Sequence, residues 1–160
     1  MKEIEIVSKV KIYGYDELPA SDRELVDKAK EATQTSYAPY SNFRVGAATR
    51  LEDGTIVTGS NQENSAFPSG TCAERTALFY ANARYPEQGV KELAVAAFNH
   101  GKFTTMPTPP CGACRQVILG MEERYGRPVR ILLYGEDGTY VMDSVKALLP
   151  LQFSGENMNG

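Results

Sequence analysis

Ile4, Ile6, Val10 and Ile12 alternate with Glu5, Lys9 and Lys11, a period of two that predicts a strand or extended arm with one buried face, at its plainest an edge strand. Ser21-Asp-Arg-Glu24 has the form of a capping box. A serine and a glutamate three residues apart satisfy each other's free backbone donors, so a helix is predicted from here to about Thr35. Ser36 to Asn42 reads as loop. Val45, Ala47, Thr49 and Leu51 then alternate up to Asp53-Gly54, and Ile56 and Val57 follow, the pattern of a β-hairpin. From Cys72 to about Arg84 the residues Ala73, Ala77, Leu78 and Ala81 recur at helical spacing, ahead of Pro86 and Gly89, which places Cys72 in a first turn.

The second half repeats this alternation of elements. Leu93 to Phe98 is a short unbroken apolar run, as expected of a strand covered on both faces. A polar, Pro-rich loop from Asn99 to Pro110 leads to a helix that opens at Cys111 and passes Val117, Ile118, Leu119 and Met121 before Gly126. Val129 to Tyr134 is another buried strand, Asp137-Gly138 turns into a strand from Thr139 to Met142, and Asp143 is placed to cap a short helix ending at Pro150. The Gly155 to Gly160 tail is expected to be loose. Strands alternating with helices, plus one hairpin, predict a single α/β unit with a mixed sheet and no repeat or linker.

Composition narrows the function. At 160 residues and 42% hydrophobic content the chain fits one domain with a buried core. A net charge of −3 with scattered Lys and Arg gives no basic field for a polyanion, so a nucleic-acid partner is not expected. No apolar run approaches the roughly 20 residues of a membrane span, and no signal segment stands at Met1, so a cytoplasmic protein is expected.

All three cysteines lie in two groups, Cys72-Ala-Glu74-Arg75 and Pro110-Cys111-Gly-Ala-Cys114-Arg115. Three thiolates can hold zinc and leave its fourth position free, which a catalytic site needs and a structural site avoids. Sulfur donors weaken the metal as a Lewis acid. The positive ends of two helices, with Arg75 and Arg115 beside the ligands, offset that charge. Arg75 is expected to donate to a ligand sulfur from outside the coordination sphere. Glu74 is expected to face the open side and move protons as general base and acid. A closed structural zinc site and a C-x-x-C redox pair are the rival explanations. The closed site lacks a fourth ligand, since the single histidine, His100, falls in the polar loop and is expected to be exposed.

Taken together, Tyr37-Ala-Pro-Tyr-Ser-Asn-Phe-Arg-Val-Gly-Ala-Ala48, Asn61-Gln-Glu63-Asn64, Cys72-Ala-Glu-Arg-Thr-Ala77, Pro110-Cys-Gly-Ala-Cys-Arg-Gln-Val117 and Leu148-Leu-Pro150 resemble the cytidine deaminase family in its own order, from about Ser21 to Phe153. The resemblance implies a three-layer α/β/α sandwich on a mixed sheet of about five strands. It also implies hydrolysis of cytidine and deoxycytidine to uridine and deoxyuridine in pyrimidine salvage. One zinc per subunit would sit on Cys72, Cys111 and Cys114, with Glu74 as proton shuttle.

By the same resemblance, Asn61 and Glu63 hold the ribose hydroxyls, the backbone N–H of Ala73 meets the pyrimidine O2, Phe43 lines the base pocket and Phe153 reaches the base from a neighbouring subunit. Ordinary core packing is the alternative for both phenylalanines. A carboxylate at Glu63 would repel phosphate and favour free nucleosides. The all-cysteine form on a short chain resembles the homotetrameric branch with shared active sites. Phe67 replaces a frequent tyrosine and Gln62 a usual aliphatic residue, the Asn99 to Pro110 loop is longer than usual, and the first twenty residues lie outside the resemblance. A deaminase of a modified nucleoside such as blasticidin S is the nearest rival, and Asn61-x-Glu63 argues for ribose against it.

Overall fold

The computed structural model describes all 160 residues, Met1–Gly160. Seven strands form one sheet: β1 (Lys11–Tyr13), β2 (Arg44–Leu51), β3 (Ile56–Ser60), β4 (Val90–Asn99), β5 (Lys102–Phe103), β6 (Arg130–Leu133) and β7 (Thr139–Met142). The strand order is β1-β7-β6-β4-β2-β3, with β5 paired to the end of β4. Only β4 and β6 run parallel, joined through the crossover helix α3 (Gly112–Tyr125), so the sheet is mixed. Two strands exceed the expected count of about five. β1, of three residues, is the C-terminal end of the predicted edge strand or arm, and β5 has two residues, too short for alternation to reveal. β5 closes a hairpin within the polar loop, where His100 and Gly101 both adopt positive φ at the two-residue turn.

Alternation in the central strands sends side chains to two cores. Ala48, Ala94, Ala96, Leu132 and Val141 meet Leu25, Val26 and Ala29 of α1 (Ala20–Ala32) on one face. Ala47, Leu51, Leu93, Val95, Ile131 and Leu133 meet Ala77, Leu78, Ile118 and Leu119 of α2 (Ala73–Arg84) and α3 on the other. The result is the expected three-layer α/β/α sandwich. Two glycines set how closely the helices sit. A Cβ at Gly46 would lie 2.0 Å from the Ala29 carbonyl oxygen, and one at Gly59 would lie 2.5 Å from the Ala77 nitrogen, so both helices rest on bare strand backbone. Arg130 fastens α1 to the sheet through a two-pronged pair with the buried Asp22 carboxylate, at 2.7 and 2.8 Å.

Three local expectations are corrected. Ser21-x-x-Glu24 forms no capping box, because Pro19 occupies the N-cap and its carbonyl accepts from the Asp22 and Arg23 N–H groups; Glu24 pairs with Arg50 instead. Ser144, not Asp143, caps the 3-10 turn Val145–Leu148, by accepting from the Lys146 N–H. The predicted buried face of the N-terminal arm is absent. Ile4, Ile6, Val10 and Ile12 are all exposed, and regular structure begins only at Lys11. In the expected loose tail, Gly155–Asn159 forms the short exposed helix α4.

Candidate active site

Two helix starts meet at one end of the sheet. Cys72 is the N-cap of α2 and Cys111 the N-cap of α3, with Cys114 in the first turn of α3. Both caps have extended backbone and no side-chain capping bond, which leaves the thiols free to point away from their own helices. The three Sγ atoms lie within 4.8 Å of one another, and Cys72 and Cys111 are 3.8 Å apart. A tetrahedral zinc with Zn–S of about 2.3 Å spaces its sulfurs by about 3.8 Å, so the donor set fits that ion. No histidine or carboxylate joins the cluster, and His100 is exposed on the β4–β5 turn, so nothing from the chain competes for a fourth position.

The electrostatics favour a cation among the sulfurs. The neighbouring Cys114 thiol, then the Arg75 guanidinium and the Cys111 thiol, stabilise a Cys72 thiolate and bring its pKa down to about 5. Cys114 is pushed the other way, by its hydrogen bond to Cys72, by burial and by the negative charges around it. One thiolate therefore forms readily and the next resists ionising until a positive ion joins it. Arg75 donates from Nη2 to the Cys72 Sγ at 3.4 Å, which is the contact expected of it, while its Nε is buried without a partner. Arg115, expected beside the ligands, makes no hydrogen bond to a sulfur. Its guanidinium donates to the carbonyls of Pro110, at 2.8 Å, and Leu148, at 2.9 Å, and so braces the loop that delivers Cys111. Glu74 is only 5% exposed. Burial first, and then the charge on Cys72, raise its carboxyl pKa above the ordinary range.

Beside the cluster lies a cleft of about 480 Å³, with Cys72 and Arg75 at one end and Tyr40, Ser41, Asn61, Glu63 and Phe67 among its walls. Three chain segments are laced together to build it. Gln62 and Thr71 exchange backbone hydrogen bonds, and the Tyr37 carbonyl accepts from the Glu63 N–H at 2.8 Å. Glu63 is fixed by Ser41, whose hydroxyl donates at 2.6 Å and whose backbone N–H donates at 3.1 Å. The Asn61 amide is largely committed to the chain. Its Oδ1 accepts from the Val45 N–H and the Ser36 hydroxyl, and its Nδ2 donates to the Phe43 carbonyl, leaving one N–H uncommitted.

Other expected site residues stand apart from this cleft. Phe43 is half-buried and off its walls, and Phe153 is exposed and also off them, its carbonyl accepting from Gln116 of α3. Ala73, fully buried, opens α2 with a backbone N–H that has no acceptor within the helix. Tyr40, Ser41 and Phe67 also wall the cleft, although no local pattern in the chain marks them for it. Phe67 is exposed and packs edge-on to Tyr40, with ring centroids 5.7 Å apart.

A family model described as the cytidine and deoxycytidylate deaminase zinc-binding region matches residues 19–125. The chain is 40% identical to a cytidine deaminase of Halalkalibacterium halodurans over 86% of its own length and 98% of that protein's. It is 42% identical to a cytidine deaminase of Sporosarcina psychrophila over 85% of its length and 93% of that protein's. Among solved structures, the cytidine deaminase of Burkholderia pseudomallei aligns with a TM-score of 0.68 and 41% identity, covering 81% of this chain and 97% of that one. That of Mycobacterium tuberculosis aligns with a TM-score of 0.66 and 30% identity, covering 85% and 99%. The matched segment spans α1, both edges of the cleft and every residue of the sulfur cluster, and the chain belongs to the cytidine and deoxycytidylate deaminase family.

Proposed function

We propose that the protein hydrolyses the C4 amino group of cytidine and deoxycytidine, giving uridine or deoxyuridine and ammonia. The observation that carries this is the meeting of three sulfurs at two helix starts, with an open side and a buried carboxylate, Glu74, one residue into α2. Cys72, Cys111 and Cys114 would hold zinc, which when bound supplies the Lewis acidity that makes water a nucleophile near neutral pH. Arg75 would hold the Cys72 thiolate by its Nη2 donor. Glu74 would carry a proton to the ring N3 and then to the departing nitrogen, so that water and cytidine balance uridine and ammonia.

The cleft supports a free nucleoside as substrate. Glu63 presents a half-buried carboxylate that would accept sugar hydroxyls and repel a phosphate, and Asn61 retains one N–H for the same sugar. The Ala73 N–H at the start of α2 would meet the pyrimidine O2, and Phe43 would lie against the base. An exposed Phe153, which does not line the cleft of its own chain, suits a side chain that serves a neighbouring subunit's site, and we assign a homotetramer with shared sites. No helix is long and apolar enough to cross a membrane. Metal-binding thiols suit a reducing compartment, and we assign one deaminase domain acting in the cytoplasm without nucleic acid.

Glu74→Gln tests the central assignment. Zinc content and thermal melting should match wild type, while ammonia release from cytidine falls by at least about 10²-fold, the lower end of what a positioned proton carrier contributes. A zinc-loaded variant that still turns over cytidine would remove Glu74 from the mechanism.

A further inference from the structure

Residues 1–10 have no helix or strand, and Ile4, Ile6, Val7 and Val10 are exposed. They lead into β1, which pairs only with β7 and is therefore an edge of the sheet. They also precede the residues matched to the family, so the deaminase fold does not account for them. An exposed run of apolar side chains next to an open edge invites another strand.

The order of charges along the arm says which strand. We propose that the arm pairs with the same arm of a second copy of this chain, as an antiparallel ribbon centred on Val7. In that register each residue faces the one equally far on the other side of Val7. Glu3 faces Lys11 of the other copy, Glu5 faces Lys9, Ile4 faces Val10 and Val7 faces itself. The two-fold axis repeats each charge pair, giving two Glu–Lys pairs per copy and four in the ribbon. All four lie on one face with Val7, and Ile4, Ile6, Val10 and Ile12 of both copies line the other.

Neighbouring registers are worse. A slip of two residues in either direction keeps the faces but leaves only one charge pair per copy, Glu5 with Lys11 or Glu3 with Lys9. The edge charges Lys9 and Lys11 alone would serve to repel a passing strand. The glutamates at the opposite end of the arm turn that repulsion into selection for an identical partner. An isolated two-stranded ribbon is marginal in water, but this one extends β1 and thus continues a seven-stranded sheet into a second one.

The test uses the full-length, zinc-loaded protein with single cysteines added to the arm. Under mild oxidation V7C should form an interchain disulfide, while V10C should not, because the two Val10 positions lie about 20 Å apart across the axis. Adding E3K/E5K to V7C, or K9E/K11E to V7C, places like charges opposite each other and should slow the cross-link about tenfold or more. An equimolar mixture of the two charge-swapped proteins should recover it as a heterodimer. Equal cross-linking of V7C and V10C, no cross-link at V7C, insensitivity to the swaps, or failure of the mixture to recover would each overturn the proposal, the last by placing the arm on some other surface. Cytidine turnover, followed in the same samples, reports separately on the active site, because none of these residues lines the cleft.

Discussion

Arg115→Lys separates bracing of the ligand loop from chemistry at the metal. The guanidinium spans two carbonyls 38 residues apart in sequence, Pro110 just before Cys111 and Leu148 at the end of the 3-10 turn, with bonds of 2.8 and 2.9 Å. A lysine ammonium can reach one of them but cannot fork between both. A hydrogen bond from a charged donor contributes about 1.5–3 kcal/mol, so losing one in this half-buried place should cost about 2 kcal/mol. For a domain of this size that corresponds to a melting temperature lower by roughly 4–8 °C. Because the lost contact also frees the residue preceding a ligand, zinc affinity should fall about 10–100-fold. Differential scanning calorimetry and zinc competition against a chromophoric chelator read the two effects. If melting and competition both match wild type, the loop holds Cys111 in place without Arg115 and the bracing argument fails.

Other perturbations reach different layers of the molecule. Gly46→Ala drives a methyl into the Ala29 carbonyl, which backbone cannot sidestep, and should destabilise by about 3 kcal/mol or more in urea unfolding; a smaller loss would mean α1 slides freely on β2. Asn61→Ala should lower stability by about 1–3 kcal/mol besides raising KM, because the Val45 N–H and the Phe43 carbonyl lose their partner, whereas Asn61→Asp keeps the acceptor side and should melt closer to wild type. Stripping zinc with a chelator should abolish turnover and lower the melting temperature, and zinc should restore both; at a free ion concentration of about 100 Kd the stabilisation is about 2.7 kcal/mol. An unchanged melt after metal removal would contradict the linkage of the ion to the fold.

What could be seen in the chain beforehand was whatever short-range pattern controls. The period-two run of β2 with its turn into Ile56 and Val57, the unbroken apolar run of β4 and the two loop-to-helix starts carrying cysteines all depend on neighbours in sequence, and they formed as expected. Ser21-x-x-Glu24 misled because Pro19, with its fixed φ, starts the helix as its N-cap two residues earlier and Arg50 draws Glu24 away. The arm's alternation from Ile4 to Ile12 was real, but a period states which face is apolar and not what covers it. The cleft was the least visible part. Its walls come from segments 36–43 and 61–71 joined by single backbone bridges at Gln62, and no local signal shows that Asn61 spends most of its amide holding Phe43 and Val45.

Gly46 lies opposite Ser60 and Gly59 opposite Ala47 on the hairpin's two strands, so the two glycines face opposite sides of the sheet, and each carries a helix in backbone contact, α1 at Ala29 and α2 at Ala73 and Ala77. The spacing between the sulfur at the head of α2 and the hairpin end that carries Asn61 is thereby fixed by main chain against main chain, with no rotamer available as a spacer. Substitutions that enlarge or shrink side chains cannot rescale that distance. Acceptance of a bulkier or smaller nucleoside falls instead to the loops 36–43 and 61–71 and to whatever a neighbouring subunit adds, while the reactive end stays constant.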